Sequence, residues 1–141
     1  MKKFLNSTPP ESNQDAFNKI LAWLTRPDAS LCVDVDGGCS YRSPDGNNAC
    51  AIGVLMPTKL ARSINSSKFE SNISTILCRH SSAKEWFEKC DEQFLTNMQS
   101  FHDYTMFHCD YSNSNRLESL KDIAITYKLK IPKDIVAFFS K

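Results

Sequence analysis

Glycine is scarce in this chain, and long hydrophobic runs are missing. Only four glycines occur among 141 residues, and three of them lie between Gly37 and Gly46. The chain therefore lacks the Gly-rich loops that hold phosphates and dinucleotides. No window approaches the roughly 18–20 apolar residues that a membrane-spanning helix needs. We expect neither a nucleotide-binding loop nor a transmembrane segment.

An excess of charge of either sign is also lacking. The formal net charge is +1, with 17 Lys and Arg against 16 Asp and Glu. Proteins that bind nucleic acid directly depend on neutralising phosphates and usually carry a basic stripe. A mimic of nucleic acid would need a surplus of carboxylates. The balance predicts no direct nucleic-acid binding and no membrane partner.

The sequence also lacks an export signal and gives no reason to expect disulfide-bonded cysteines. The apolar stretch of MKKFL ends at Leu5, short of the roughly seven apolar residues of a signal peptide. We therefore expect a cytoplasmic protein whose six cysteines are reduced thiols. Residues 1–12 are rich in proline and polar residues, and they predict a flexible segment. Residues 13–141 predict a single domain.

Helical periodicity is the strongest positive signal. Residues 15–26 place Phe17, Ile20, Leu21 and Leu24 on one face, and Ser12 or Asn13 can cap the helix. A similar stripe predicts one long helix over residues 82–105, opened by a capping box at Ser82 and Glu85. Further helices are expected near residues 58–67, from about residue 115, and from Pro132.

The stretch GCSYRSPDGNNACAIGVLMP, residues 38–57, predicts a β-hairpin. Cys39 and Tyr41 alternate with polar neighbours, and Ser-Pro-Asp-Gly at residues 43–46 is typical of a tight turn. The apolar return run, residues 49–56, suits a strand buried on both faces. The predicted fold class is therefore α+β: a mainly helical single domain of about four to five helices, with one small antiparallel β-hairpin at about residues 38–56.

Cysteine and histidine side chains raise the question of a metal site or a nucleophile. Cys39 and Cys50 would face each other across the hairpin. With His102, His108 or Cys109 they could bind zinc, and with His102 they could form the core of a Cys/His enzyme. The chain has no C-x₂₋₄-C pair, and adjacent helical residues point about 100° apart, which places Asp103 badly for orienting His102. Packed thiols are favoured, and we expect no cofactor, no bound metal and no catalytic residue.

The hairpin turn offers a different kind of site. If Tyr41 faces the core, alternation points Arg42 outward, where its guanidinium can pair with a carboxylate or anchor a partner. A rigid turn also loses little conformational entropy when its tip binds a partner. The predicted partner surface therefore consists of Tyr41, Arg42, Asp45, Asn47 and Asn48. A pocket closed by Tyr41 and His102, which would make the protein a small-ligand sensor, is an alternative.

Several of these motifs together resemble a family of small uncharacterised bacterial and phage proteins. The shared pattern is C-x-Y-R, then G, then C-A-x-G-x-L-x-P, and later L-Q-x-x-H-D. It corresponds here to residues 39–57 and 98–103, with Met98 in place of the leucine, followed by L-x-x-I-A at residues 120–124. The likeness spans about residues 17–129. This chain has three residues, not two, between Gly46 and Cys50, and Thr58 replaces an acidic residue. The resemblance implies a phage or mobile-element protein that binds and inhibits a host or defence-system protein without catalysis.

Overall fold

The computed structural model describes residues 8–32, 41–43, 45, 47–65 and 73–141, and it shows a helical domain. Seven α-helices occur in these ranges, together with a 3-10 turn at Gly53–Leu55 and a π-helical segment at Phe101–Met106. The α-helices are α1 (Asn13–Leu24), α2 (Thr58–Asn65), α3 (Ile73–Arg79), α4 (Ser81–Trp86), α5 (Glu92–Ser100), α6 (Asn113–Tyr127) and α7 (Lys133–Phe139).

The amphipathic first helix is confirmed. Ser12 is its N-cap, and the Ser12 hydroxyl accepts a hydrogen bond of 3.0 Å from the Asp15 N–H. The predicted apolar face is buried in the core. An edge-to-face aromatic series then runs from Phe17 of α1 to Phe94 of α5 and on to Tyr127 of α6, with ring centroids 6.2 and 5.5 Å apart. These rings join the first helix to the later helices around one core.

The predicted α+β fold with a β-hairpin is wrong for the residues that the structure describes. Residues 38–40, 44 and 46 of the predicted hairpin lie outside those residues. In the remainder, pairing is limited to one antiparallel bridge between Arg42 and Ala49, and no β-strand is formed. After Ala51 the chain turns into the 3-10 turn instead of continuing as a return strand. An apolar run indicates burial, but it cannot distinguish a strand from a buried turn.

Tryptophan side chains replace a partner strand along this buried run. Trp23 of α1 donates its indole N–H to the Ala49 carbonyl at 2.8 Å. Trp86 of α4 donates to the Leu55 carbonyl, also at 2.8 Å. Buried carbonyl groups need hydrogen-bond donors, and side chains supply them here. Residues 49–56 are therefore hydrogen-bonded to α1 and α4 and buried in the core.

The predicted continuous helix over residues 82–105 is also wrong. The chain forms α4, turns at residues 87–90, and begins α5 with Asp91, whose carboxylate accepts from the Gln93 and Phe94 N–H groups at 2.8 and 3.1 Å. The predicted capping box is absent, because α4 starts after His80 without a side-chain cap bond. The apolar spacing of Phe87, Cys90 and Phe94 continues across the turn, so periodicity alone does not show the break.

None of the described helices is both long enough and apolar enough to cross a membrane.

Candidate functional site

The π-helical segment Phe101–Met106 continues directly from α5 and divides its side chains between core and surface. Phe101, His102 and Met106 are buried, whereas 67% of the Tyr104 surface is exposed. Short π-helical insertions are rare and are often found at functional sites. Both faces of the segment are therefore candidates for a functional site.

On the inner face, the His102 imidazole is fully buried and lies against a carboxylate. Its Nδ1 is 2.7 Å from Asp103 Oδ1, which also accepts a 2.9 Å hydrogen bond from Gln99 Nε2. The Gln99 side-chain oxygen in turn accepts from the Ile52 N–H at 3.3 Å. Since a carboxylate only accepts, the imidazole donates through Nδ1. This chain of hydrogen bonds connects the π-helical segment to the buried run of residues 49–56.

The contact between His102 and Asp103 corrects the expectation that Asp103 is badly placed to orient His102. That expectation assumed α-helical spacing. A π-helical turn is wider, so consecutive residues are separated by a smaller angle, and the two side chains bend together here. The other ring nitrogen, Nε2, is buried and has no hydrogen-bond partner among the described residues. The edge of the Phe107 ring packs against the imidazole at a centroid distance of 5.6 Å.

Arg42 does not point outward as predicted; it is buried, with 2% of its surface exposed. Its guanidinium donates to the Gly53 carbonyl at 2.8 Å, the Met56 carbonyl at 2.9 Å and the Thr58 hydroxyl at 2.8 Å. Burial lowers the pKa of Arg42 from its usual value. Alternation failed here because the chain around Arg42 forms only a single bridge. Arg42 therefore holds the 3-10 turn against the start of α2, and Tyr41 beside it is buried as well.

Cys50 is likewise buried and does not contact His102 through a hydrogen bond. Its sulfur accepts from the Gly53 N–H at 3.1 Å. Burial raises the pKa of the Cys50 thiol above its usual range, and the negative charge of Asp103 raises it further. A thiolate, not a thiol, is the nucleophile and the metal ligand. The structure does not join Cys50 and His102 as the metal or enzyme alternative requires, and Cys39 lies outside the described residues.

Thiol labelling tests this environment. In the folded protein, Cys50 is expected to react with a maleimide at least roughly a hundredfold more slowly than the exposed Cys78 and Cys109, because it is buried and protonated. Peptide mass spectrometry after timed quenching measures each rate. In denaturant the three rates should converge. Fast labelling of Cys50 under native conditions would contradict this assignment and favour an accessible nucleophile.

The tip of the predicted hairpin is a turn organised by its own side chains. Asp45 accepts hydrogen bonds from the Ser43 hydroxyl at 2.6 Å and from the Asn47 N–H at 2.9 Å, and these bonds lower the pKa of Asp45. The side-chain oxygen of Asn48 accepts from Arg26 Nη2 at 2.8 Å, which ties the turn to the end of α1. Of the predicted contact residues, Asp45 and Asn47 are exposed and Asn48 is half-buried.

A groove that was not predicted from the sequence lies between the outer face of the π-helical segment and α6. Its volume is about 320 Å³, and Tyr104 is one of the residues that line it. Apolar and short polar side chains line it together: Asn97, Ser100, Phe101, Tyr104, Thr105, Ser119, Asp122 and Ile123. The sequence held no signal for it, because the buried residues Met98, His102 and Met106 follow the ordinary i, i+4 spacing of an α-helix.

A second group of polar side chains occurs just after the π-helical segment. His108, Cys109 and Asp110 are all exposed, and their potential metal-ligating atoms lie within 4.8 Å of one another. The sequence suggested His108 and Cys109 as zinc ligands only in combination with Cys39 and Cys50, and it did not single out Asp110. The described structure thus separates the buried histidine network from an exposed set of possible ligands.

Comparison with known proteins returned no match: no protein-family model, no curated protein and no solved structure is similar to this chain. The resemblance to small bacterial and phage proteins therefore stays a prediction.

Proposed function

We propose that this protein is a small protein-binding modulator that inhibits a host or defence-system protein by occupying its surface, without catalysis. In this proposal it is encoded by a phage or mobile element and acts in the host cytoplasm, without binding nucleic acid directly. The observation that carries the proposal is Tyr104, a tyrosine with 67% of its surface exposed beside a groove of about 320 Å³. Tyrosine is among the residues that contribute most binding energy at protein interfaces.

The groove has the mixed character of a protein-docking site. Ile123 and the exposed ring of Tyr104 supply apolar surface, while Ser100, Thr105 and Asp122 supply hydrogen-bonding groups at the edges of the groove. An apolar centre with a polar rim is typical of protein interfaces. The Asp122 carboxylate favours a partner segment that combines an apolar side chain with a hydrogen-bond donor or a basic group.

Rigidity supports the same proposal. The backbone that carries Tyr104 is held from inside by buried Phe101 and by the hydrogen bond between His102 and Asp103. A side chain on a backbone that is already ordered loses less conformational entropy on binding than one on a flexible loop. The exposed turn residues Asp45 and Asn47 remain secondary candidates for contact. Arg42 and Tyr41 support the fold and no longer belong to the proposed surface.

Replacing Tyr104 by alanine tests the proposal. Affinity capture from bacterial lysate identifies a partner, and titration of that purified partner then gives Kd and its inhibition. We expect Tyr104→Ala to weaken binding by about 10- to 100-fold, the range for loss of an interface hot spot. Tyr104→Phe keeps the ring and should retain most of the affinity.

Ile125→Ala is the matched control, because Ile125 is also highly exposed, at 76%, but does not line the groove. It should bind like the unmodified protein. Equal affinity of Tyr104→Ala and the unmodified protein would exclude the groove as the docking site. A captured partner whose activity is unchanged at saturation would contradict the inhibitory function itself.

A further inference from the structure

We propose that His108, Cys109 and Asp110 form a surface binding site for a divalent transition-metal ion, with zinc as the best match. The three residues offer an imidazole nitrogen, a sulfur and a carboxylate oxygen from one tight turn, and all are exposed to solvent. Zinc is bound in proteins by this combination of nitrogen, sulfur and oxygen ligands. The site is independent of the groove and of the function proposed above.

The spacing of the donor atoms is close to that of a metal coordination shell. His108 Nδ1 lies 3.7 Å from Asp110 Oδ2, and Cys109 Sγ lies 3.9 Å from Asp110 Oδ1. Tetrahedral bonds to zinc of about 2.0–2.3 Å place neighbouring ligand atoms roughly 3.3–3.7 Å apart. All three donors already lie within 4.8 Å of one another, so shifts of about an ångström or less in exposed side chains complete the geometry.

The turn holds the imidazole beside the other two donor atoms. The Asp110 N–H donates to His108 Nδ1 at 3.2 Å, and this hydrogen bond, which occupies the single lone pair of Nδ1, has to break when the ion binds. The turn is closed by a 3.2 Å hydrogen bond from the Tyr111 N–H to the His108 carbonyl, and the Tyr111 ring packs edge-on against the imidazole. Arg116 donates to the same carbonyl at 3.0 Å. The backbone is thus fixed before any ion arrives.

Charge favours the ion despite one opposing cation. Cys109 as a thiolate and Asp110 as a carboxylate together carry two negative charges, which balance a divalent ion; the thiol proton passes to solvent when the metal–sulfur bond forms. The Arg116 guanidinium and the nearby N-terminus of α6 oppose it. Two directly bound anionic ligands outweigh these positive groups, which do not contact the donor atoms. Water fills the remaining coordination position.

Titration with Co²⁺, a spectroscopic substitute for zinc, tests the site. The unmodified protein should bind one Co²⁺ and show a thiolate-to-cobalt charge-transfer absorption, and calorimetry with Zn²⁺ should give the same stoichiometry. Cys109→Ser should abolish the charge-transfer band, and Asp110→Asn and His108→Ala should each weaken Zn²⁺ binding by at least about tenfold.

Cys78→Ser is the control, since Cys78 is the other exposed thiol among the described residues. It should leave the band and the affinity unchanged. Circular dichroism shows whether each variant is folded, and substitutions in this exposed turn should leave the spectrum intact. The absence of a charge-transfer band from the unmodified protein, or its persistence in Cys109→Ser, would overturn the proposal.

Discussion

Arg42→Leu is expected to lower the free energy of unfolding by about 3–4 kcal/mol. The substitution removes three hydrogen bonds from a buried charged donor to Gly53, Met56 and Thr58. Hydrogen bonds to charged groups contribute about 1.5–3 kcal/mol each, and the gain from burying a leucine offsets only part of the loss. Urea denaturation followed by circular dichroism measures the difference.

Two further variants separate the role of the guanidinium from the effect of losing a positive charge. Arg42→Lys keeps the charge but cannot donate to three acceptors in the same planar arrangement, so it should recover little of the stability. Arg79→Ala removes an exposed arginine and should change the stability by less than about 0.5 kcal/mol. If Arg42→Lys were as stable as the unmodified protein, charge alone would explain the effect, and the hydrogen-bonding role would be wrong.

Gly53→Ala is the second substitution with a large expected effect, about 3 kcal/mol or more of lost stability. A Cβ atom at this position would overlap the carbonyl oxygen of Tyr41 and lie 2.7 Å from its carbonyl carbon. Both atoms belong to the backbone and cannot rotate away as a side chain would. The chain must shift, and the hydrogen bond from Arg42 to the Gly53 carbonyl then loses its geometry.

Val54→Ala serves as the control in the same 3-10 turn. Val54 is only partly buried, so the loss of two methyl groups should cost about 1 kcal/mol. The double variant Gly53→Ala with Arg42→Leu should be less destabilised than the sum of the single variants, because both break the same contact. A stable Gly53→Ala protein, or strict additivity in the double variant, would show that the turn does not pack against Tyr41 as described.

The sequence predicted those helices whose apolar face is set by the spacing of nearby residues. The buried face of α1 and its Ser12 cap follow from periodicity and capping chemistry. The hydrogen bonds that Asp45 accepts from Ser43 and Asn47 suit the turn predicted at residues 43–46, of which residues 44 and 46 lie outside the described part of the chain. These features depend on residues within a few positions of one another, so a single stretch of sequence contains the information.

The candidate site was poorly predicted because its parts are set by long-range contacts. Arg42 is enclosed because the chain folds back at Gly53 and Met56, and Cys50 is protected by the same fold. The groove beside Tyr104 exists only where the π-helical segment lies against α6. Neither arrangement has a local signature in the sequence.

The amino-acid sequence by itself determined which segments are amphipathic, where the strongest turns lie and that the charge is balanced. The tertiary structure decided that residues 49–56 form a buried turn and not a strand. The physical reason is the supply of hydrogen-bond donors: Trp23, Trp86 and Arg42 reach the carbonyl groups of this run from distant parts of the chain. With those donors in place the run can be buried without a neighbouring strand. Local propensity cannot predict this outcome, because the donors lie outside the run.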